Sequence, residues 1–421
     1  MLIAGGRLVD PTHGIDAGRD LRLRDGIVVE VGEHLIADTG EETLDATGAV
    51  VAPGFIDMHV HLRDPGYPEK ETIATGTLAA ARGGFTAVAC MPNTNPALDT
   101  PDIITSLSKG AHVRVYPIAA ITRGRRGQEL LDYAALAAAG AVAFSDDGNT
   151  VMDPRVLREA ALAARATPGV FISHALDDRL HGDAVMHEGS VSRALGLPGS
   201  PGLAEDIIVA RDLLVARETG KAWHIAHVST ATSLQLIRAA RAAGMSLTCE
   251  VTPHHLFFSD EAVRKLGTDA KVNPPLRTED DVAALRQGVR EGIVDALASD
   301  HAPHTAAEKS GDMHTASVGF SGLEIAVGAY ALALPGLPLS RFVELLSTNP
   351  ARILGVPGGT LELGAPADVT IFADRDWRVD PTLFASKGRS TPFSGQVLPR
   401  AIVATIVGGR LAFHAKAVSP R

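Results

Sequence analysis

The sequence predicts an α/β fold: a (β/α)8 TIM barrel with a small composite β-sandwich domain formed by the N- and C-terminal segments. Three observations predict it. Between residues 53 and 358, short apolar strand-like runs alternate with Ala/Leu-rich stretches of helical spacing, as successive βα units with a parallel sheet do. The span is that of a barrel of roughly 250 to 300 residues with insertions. At both chain ends, short apolar/polar alternations are broken by Gly and Asp turns, the signature of antiparallel strands.

In the N-terminal segment, 1–52, the alternating runs are Leu2-Ile3, Leu21-Arg22-Leu23 and Ile27-Val28-Val29-Glu30-Val31. The signature returns in 359–421, at Thr360-Leu361-Glu362, in 367–372 and in 403–411. Either half alone would leave open sheet edges, and pairing the two removes much of that exposure. The expected division is therefore a composite β domain, 1–52 plus 359–421, around a barrel, 53–358. Eight barrel strands are expected at 55–60, 85–91, 113–119, 141–147, 170–175, 223–229, 247–252 and 294–300, with helices such as 204–218 and 233–243 between them.

Composition narrows the function classes. A net charge of −10 argues against a nucleic-acid surface, which needs a basic stripe. No apolar run approaches the roughly 20 residues that cross a bilayer. The start Met1-Leu2-Ile3-Ala4-Gly5-Gly6 lacks the basic residues and long apolar core of a secretory signal, so a cytoplasmic protein is expected. Cys90 and Cys249, each in an apolar run, read as buried free thiols, with neither a disulfide framework nor a Cys-rich metal site.

The chemistry is concentrated in Phe55-Ile56-Asp57-Met58-His59-Val60-His61-Leu62-Arg63-Asp64-Pro65-Gly66. Alternation along a strand gives His59, His61 and Arg63 one face. Neutral imidazoles there can hold a divalent transition metal, zinc being the commonest for nitrogen and carboxylate ligands. An adjacent arginine suits an anionic substrate. Alone, His-x-His is also an ordinary polar strand face. The rest of the map favours a site: Asp146 and Asp147 end the fourth predicted strand, His174 the fifth, His227 the sixth and Asp300 the eighth. All lie at carboxyl ends, the barrel face where active sites form.

With these residues assembled, the chain resembles the amidohydrolase superfamily, and within it the dihydroorotase family of the longer bacterial type. The resemblance spans essentially the whole chain. It is carried by Asp57–Gly66, Met91-Pro92-Asn93-Thr94, Phe144-Ser145-Asp146-Asp147-Gly148, Gly196-Leu197-Pro198-Gly199, Ala226-His227-Val228-Ser229-Thr230, Glu250-Val251-Thr252-Pro253-His254-His255, Lys271-Val272-Asn273-Pro274-Pro275-Leu276-Arg277 and Ser299-Asp300-His301-Ala302-Pro303-His304.

The resemblance implies a zinc enzyme of pyrimidine biosynthesis that reversibly closes N-carbamoyl-L-aspartate to L-dihydroorotate. His59, His61 and Asp300 would hold one zinc ion, His174 and His227 a second, and Asp147 would bridge them. Two ions per chain are expected, and a single one is the other possibility. Asp146 competes with Asp147 on alternation alone, since adjacent strand residues face opposite ways. Zinc supplies an activated water near neutral pH and polarises a carbonyl. Asp300 is expected to carry the proton between that water and the ring nitrogen. His61, Arg63, Asn93, Asn273, His304, Val318 and Gly319 would contact the substrate, Arg63 through a bidentate carboxylate pair. An ion pair of Arg63 with Asp57 or Asp64 is the structural alternative, and turn formation competes at Asn93 and Asn273.

Cyclic amidases of the dihydropyrimidinase and allantoinase kinds, which use a carboxylated lysine as the bridge, are the alternative activity; no lysine lies in 144–148. A silent scaffold bound to aspartate transcarbamoylase is another alternative, although such chains lack ligands that are present here. Aspartate transcarbamoylase is a possible partner, and a homodimer is the default assembly. The resemblance gives His254, His255 and His301 no metal-binding role, and places behind the ligands or in the framework are expected for them. The stretch 305–322 reads as a loop able to act as a lid. It departs from the family, which usually shows Ala-Pro-Phe-Gly where this chain has Ala316-Ser317-Val318-Gly319, a change that questions the loop's rigidity.

Overall fold

The computed structural model describes residues 1–107 and 109–415. Eight parallel strands follow one another in chain order around a barrel: β1 (Phe55–Val60), β2 (Phe85–Cys90), β3 (Arg114–Ala119), β4 (Ala143–Ser145), β5 (Val170–Ser173), β6 (Trp223–Ile225), β7 (Leu247–Val251) and β8 (Ala296–Leu297). The ring is drawn shut just beyond β8, where Val60 bridges His301 and the His61 amide donates to the His301 carbonyl at 2.8 Å.

Several strands stop short of their expected carboxyl ends, β4, β6 and β8 among them. For β6 and β8 the backbone explains why. Arg63, His227 and Asp300 have φ of 60°, 34° and 50°, a left-handed conformation that no strand ladder passes through. Such conformations persist only where the surroundings hold them, and here they collect at one end of the barrel.

Two sets of apolar side chains fix the strands. Ile56, Met58, Ala89, Ile118, Ala143 and Ile172 belong to one cluster, whereas Phe55, Phe85, Phe144, Phe171 and Trp223 belong to the larger core that includes the helices. Strands β1 to β5 and β8 thus contribute to both, as a strand buried on two faces must. The helices expected at 204–218 and 233–243 are Leu203–Thr219 and Ala231–Ala242. No helix among the described residues is long and apolar enough to cross a membrane.

The chain ends meet in one six-stranded sheet, in the order Arg410–His414, Ala401–Val407, Val369–Ala373, Ala49–Pro53, Arg7–Asp10 and Ile15–Gly18. A four-stranded sheet of N-terminal strands accompanies it, and Ile3, Leu21, Val28, Val51, Ile371 and Ile406 share one core. Thr360-Leu361-Glu362 forms no strand; the Leu361 amide instead caps Asp10 at 2.8 Å. The sheet bears on the site directly, because Ala49–Pro53 runs into β1 across Gly54. A Cβ at Gly54 would come 2.1 Å from the Thr86 hydroxyl oxygen, so only glycine lets the two strands approach.

Candidate metal centre

His59 and His61 leave the end of β1 on the same side, after a register shift against β2 between Asp57 and Val60. His61 Nε2 lies 3.1 Å from Asp300 Oδ1, and His59 Nε2 lies 3.6 Å from the same oxygen. Asp147 reaches in from the turn after β4. Its Oδ1 is 3.4 Å from His59 Nε2, 3.3 Å from His174 Nδ1 and 3.6 Å from His227 Nε2, while its Oδ2 is 3.5 Å from His61 Nε2. His174 Nδ1 and His227 Nε2 are 2.9 Å apart. Six side chains from five strand ends therefore converge. Two triads within them, His59/His61/Asp300 and His59/Asp147/His227, have the spacing of metal ligands.

The donors fit a metal. His59 Nε2 and Asp147 Oδ1 are buried with no hydrogen-bond partner among the described residues, an arrangement that is costly unless something else coordinates them. Imidazole and carboxylate together suit a divalent transition ion. The outer contacts point the same way: His59 Nδ1 meets Glu250 at 2.7 Å and His61 Nδ1 meets Asn93 Oδ1 at 2.8 Å, which turns both Nε2 atoms toward the cluster.

The electrostatics ask for positive charge. Burial opposes a proton on His59, but Asp147, Asp300 and Glu250 outweigh it and raise the imidazole well above its ordinary value. Burial likewise opposes ionisation of Asp147, Asp300 and Glu250, yet the neighbouring histidines lower all three, Glu250 to about 2.

The two aspartates after β4 have different tasks. Asp146 accepts the amides of Ile121 at 2.8 Å and Thr122 at 3.0 Å, together with the Thr122 hydroxyl, and so anchors the loop after β3. Asp147 alone faces the cluster. Arg125, to which sequence reasoning gives no role, donates from Nη1 to the Asp147 carbonyl at 2.5 Å.

A cavity of about 320 Å³ opens over the cluster. It is lined by His61, Arg63, Asn93, Asn273, His304, Val318 and Gly319, along with Asp147, His174, His227 and Asp300, while His59 lies sealed beneath. Larger hollows of about 1000 Å³ lie elsewhere, around Arg24 and Arg410 and around Arg126 and Arg179, but neither contains the convergent histidines. The small cavity is the one with chemistry.

Arg63 is not tied up in an ion pair with Asp57 or Asp64. Asp57 accepts from the amides of His59 and Ser299, and Asp64 from that of Ile73. The guanidinium instead touches the Pro303 carbonyl at 3.3 Å and His304 Nε2 at 3.2 Å. His255 is framework, bonded to Thr252 at 2.7 Å and to the Pro274 carbonyl at 2.8 Å. His254 packs edge-on against Phe320, their ring centroids 5.0 Å apart, and His301 meets buried Glu71 at 3.3 Å.

Comparison with known proteins adds three findings. A family model described as dihydro-orotase-like matches residues 48–233, and an amidohydrolase family model matches 215–413. Over 99% of its length the chain is 51% identical to the dihydroorotase of Pelotomaculum thermopropionicum, and over 99% it is 46% identical to that of Citrifermentans bemidjiense; the matches cover 99% and 100% of those proteins. The solved L-hydantoinase (dihydropyrimidinase) of Arthrobacter aurescens superposes with a TM-score of 0.86 at 26% identity, covering 97% of this chain and 95% of that one. The dihydropyrimidinase of Brevibacillus agri shares the fold, with a TM-score of 0.83 at 21% identity over 97% of this chain and 94% of its own.

Proposed function

This chain belongs to the dihydroorotase family of amidohydrolases, and on that premise we propose that it reversibly cyclises N-carbamoyl-L-aspartate to L-dihydroorotate with loss of water, a step of pyrimidine biosynthesis. One observation carries the choice of substrate. Arg63 presents a guanidinium that has no carboxylate partner among the described residues to the same cavity as Asn93 and Asn273. Dihydroorotate bears a carboxylate to meet it; hydantoin and dihydrouracil do not.

Zinc is the metal proposed. His59, His61 and Asp300 would hold one ion, His174 and His227 a second, with Asp147 shared between them. When bound, the metal supplies an activated water near neutral pH and a Lewis acid for the amide carbonyl. The chain's own groups do the rest. Arg63, Asn93, Asn273 and His304 orient the carboxylate and ring, so that the scissile amide lies over the cluster. Asp300 takes a proton from the attacking water and returns it to the ring nitrogen as the C–N bond breaks; ring closure runs the same transfers backwards. Val318 and Gly319 contribute cavity wall. A homodimer, an association with aspartate transcarbamoylase and a cytoplasmic location complete the proposal.

The test is turnover of L-dihydroorotate by the purified chain, followed by loss of its ultraviolet absorbance, with metal content measured in parallel and dihydrouracil and allantoin as controls. Activity confined to dihydroorotate is expected. Ring opening of dihydrouracil by a zinc-loaded chain inert toward dihydroorotate, with or without aspartate transcarbamoylase, would overturn the assignment.

A further inference from the structure

The loop that closes one side of the cavity is held from behind by a buried lysine. Lys309 is 7% exposed, and its ammonium donates to the carbonyls of Thr268 at 2.7 Å, Ser317 at 2.9 Å and Gly319 at 2.9 Å. An ammonium has three N–H donors, and burying one is costly unless all are met. Here each meets a carbonyl. None of these partners is a carboxylate, so what the ammonium organises is main chain.

Two of the three carbonyls flank Val318, which lines the cavity. The Val318 carbonyl accepts from His304 Nε2 at 2.8 Å, and His304 is the ring that touches Arg63. The same segment is tied again by Lys271, whose ammonium reaches the Ala316 carbonyl at 2.7 Å and whose carbonyl takes the Gly319 amide at 2.9 Å. The Ser317 amide donates to the Glu308 carbonyl at 2.8 Å. Gly319, at φ 113°, packs so closely on the turn after β8 that a Cβ would come 2.6 Å from that of Ala302. The proline and aromatic usual in this loop are absent, yet every residue from 316 to 319 has a main-chain tether.

We propose that Lys309 is a positioning residue: through the carbonyls of Ser317 and Gly319 it fixes 316–319 as a standing wall of the substrate cavity, setting where Val318 and His304 meet the carboxylated ring, so that this segment does not close as a lid. The inference rests on the dihydroorotate reading of the cavity.

Two measurements on the metal-loaded full chain test it. In hydrogen exchange, the amides of Ser317 and Gly319 should be protected before any ligand is added and gain nothing with dihydroorotate. Lys309→Met should speed those amides while leaving the barrel strands alone. It should also raise KM for dihydroorotate on the order of tenfold, with kcat and metal content held. Lys271→Met, which removes only the Ala316 tether, should raise KM less. Free exchange at 317 and 319 that is protected only by substrate is the behaviour of a lid and overturns the proposal, as does an unchanged KM in Lys309→Met. If that variant does not fold, the exchange experiment on the unaltered chain still decides. Exchange is read without turnover, so protected loop amides in a chain inert toward dihydroorotate would sink the activity and leave the wall standing.

Discussion

His59 Nδ1 and the Glu250 carboxylate lie 2.7 Å apart, both sealed from solvent, and the other oxygen of Glu250 meets His224 Nε2 at 3.2 Å. The carboxylate holds the proton of His59 on Nδ1 and so keeps Nε2 bare for a metal. Glu250→Gln preserves shape but removes the charge. Its metal affinity, read by competition with a chelator, should fall about 10- to 100-fold. Unchanged affinity would show that packing alone orients the ring.

Glu250 also shows where the sequence was hard to read. The strand-and-helix period and the polar residues at strand ends are enough for the barrel and for the strand ends whose side chains converge, whereas the choice of Asp147 over Asp146 comes from the family resemblance and not from alternation. Glu250 does carry a legible signal: it is the lone charged residue in its strand, and burial tolerates such a carboxylate only with a partner. Arg125 and Lys309 offered none, because they act on main-chain carbonyls, and any sequence supplies those. Strand ends were misplaced for a related reason. The left-handed turns at His227 and Asp300 are imposed by the site, against the local preference of those residues.

Asp146 and Asp147 are neighbours whose loss should look quite different. Asp146→Ala strips acceptors from the amides of Ile121 and Thr122 and should destabilise the fold by roughly 1–3 kcal/mol, with metal retained. Asp147→Ala removes the carboxylate at the centre of four imidazoles and should lower metal per chain, measured by elemental analysis after dialysis. The opposite pattern would make Asp146 the bridge.

Arg63→Lys keeps the charge and loses the planar fork. A point charge cannot make two parallel bonds to a carboxylate, so KM for carbamoyl-aspartate should rise by about tenfold or more, with a smaller change in kcat. Saturation at the original concentration would mean that the substrate carboxylate binds elsewhere.

Asp300→Asn separates proton transfer from metal binding. An amide oxygen can still face His59 and His61, whereas it cannot carry the proton, so kcat should drop on the order of 10² to 10⁴-fold with metal content nearly kept. The overall equilibrium belongs to the reactants, so kcat/KM must fall by the same factor in both directions. A variant retaining most of its kcat would remove Asp300 from the mechanism.

The last prediction concerns pH and a chain stripped of metal. Burial disfavours a charged His59, but Asp147, Asp300 and Glu250 overcome this and raise its pKa above the ordinary 6.5. A group whose folded pKa is raised lends stability that is complete below its unfolded value and is lost as pH climbs through the folded one. The stripped chain should therefore lose stability from about pH 6.5 upward, as the imidazolium gives up the proton that offsets three carboxylates. A bound cation performs that task without titrating, and its ligands are more fully deprotonated at higher pH. The gap in Tm between loaded and stripped chains should widen from pH 6 to pH 9, in thermal melts run at constant ionic strength. A gap that narrows would mean that the cluster does not draw its stability from a cation.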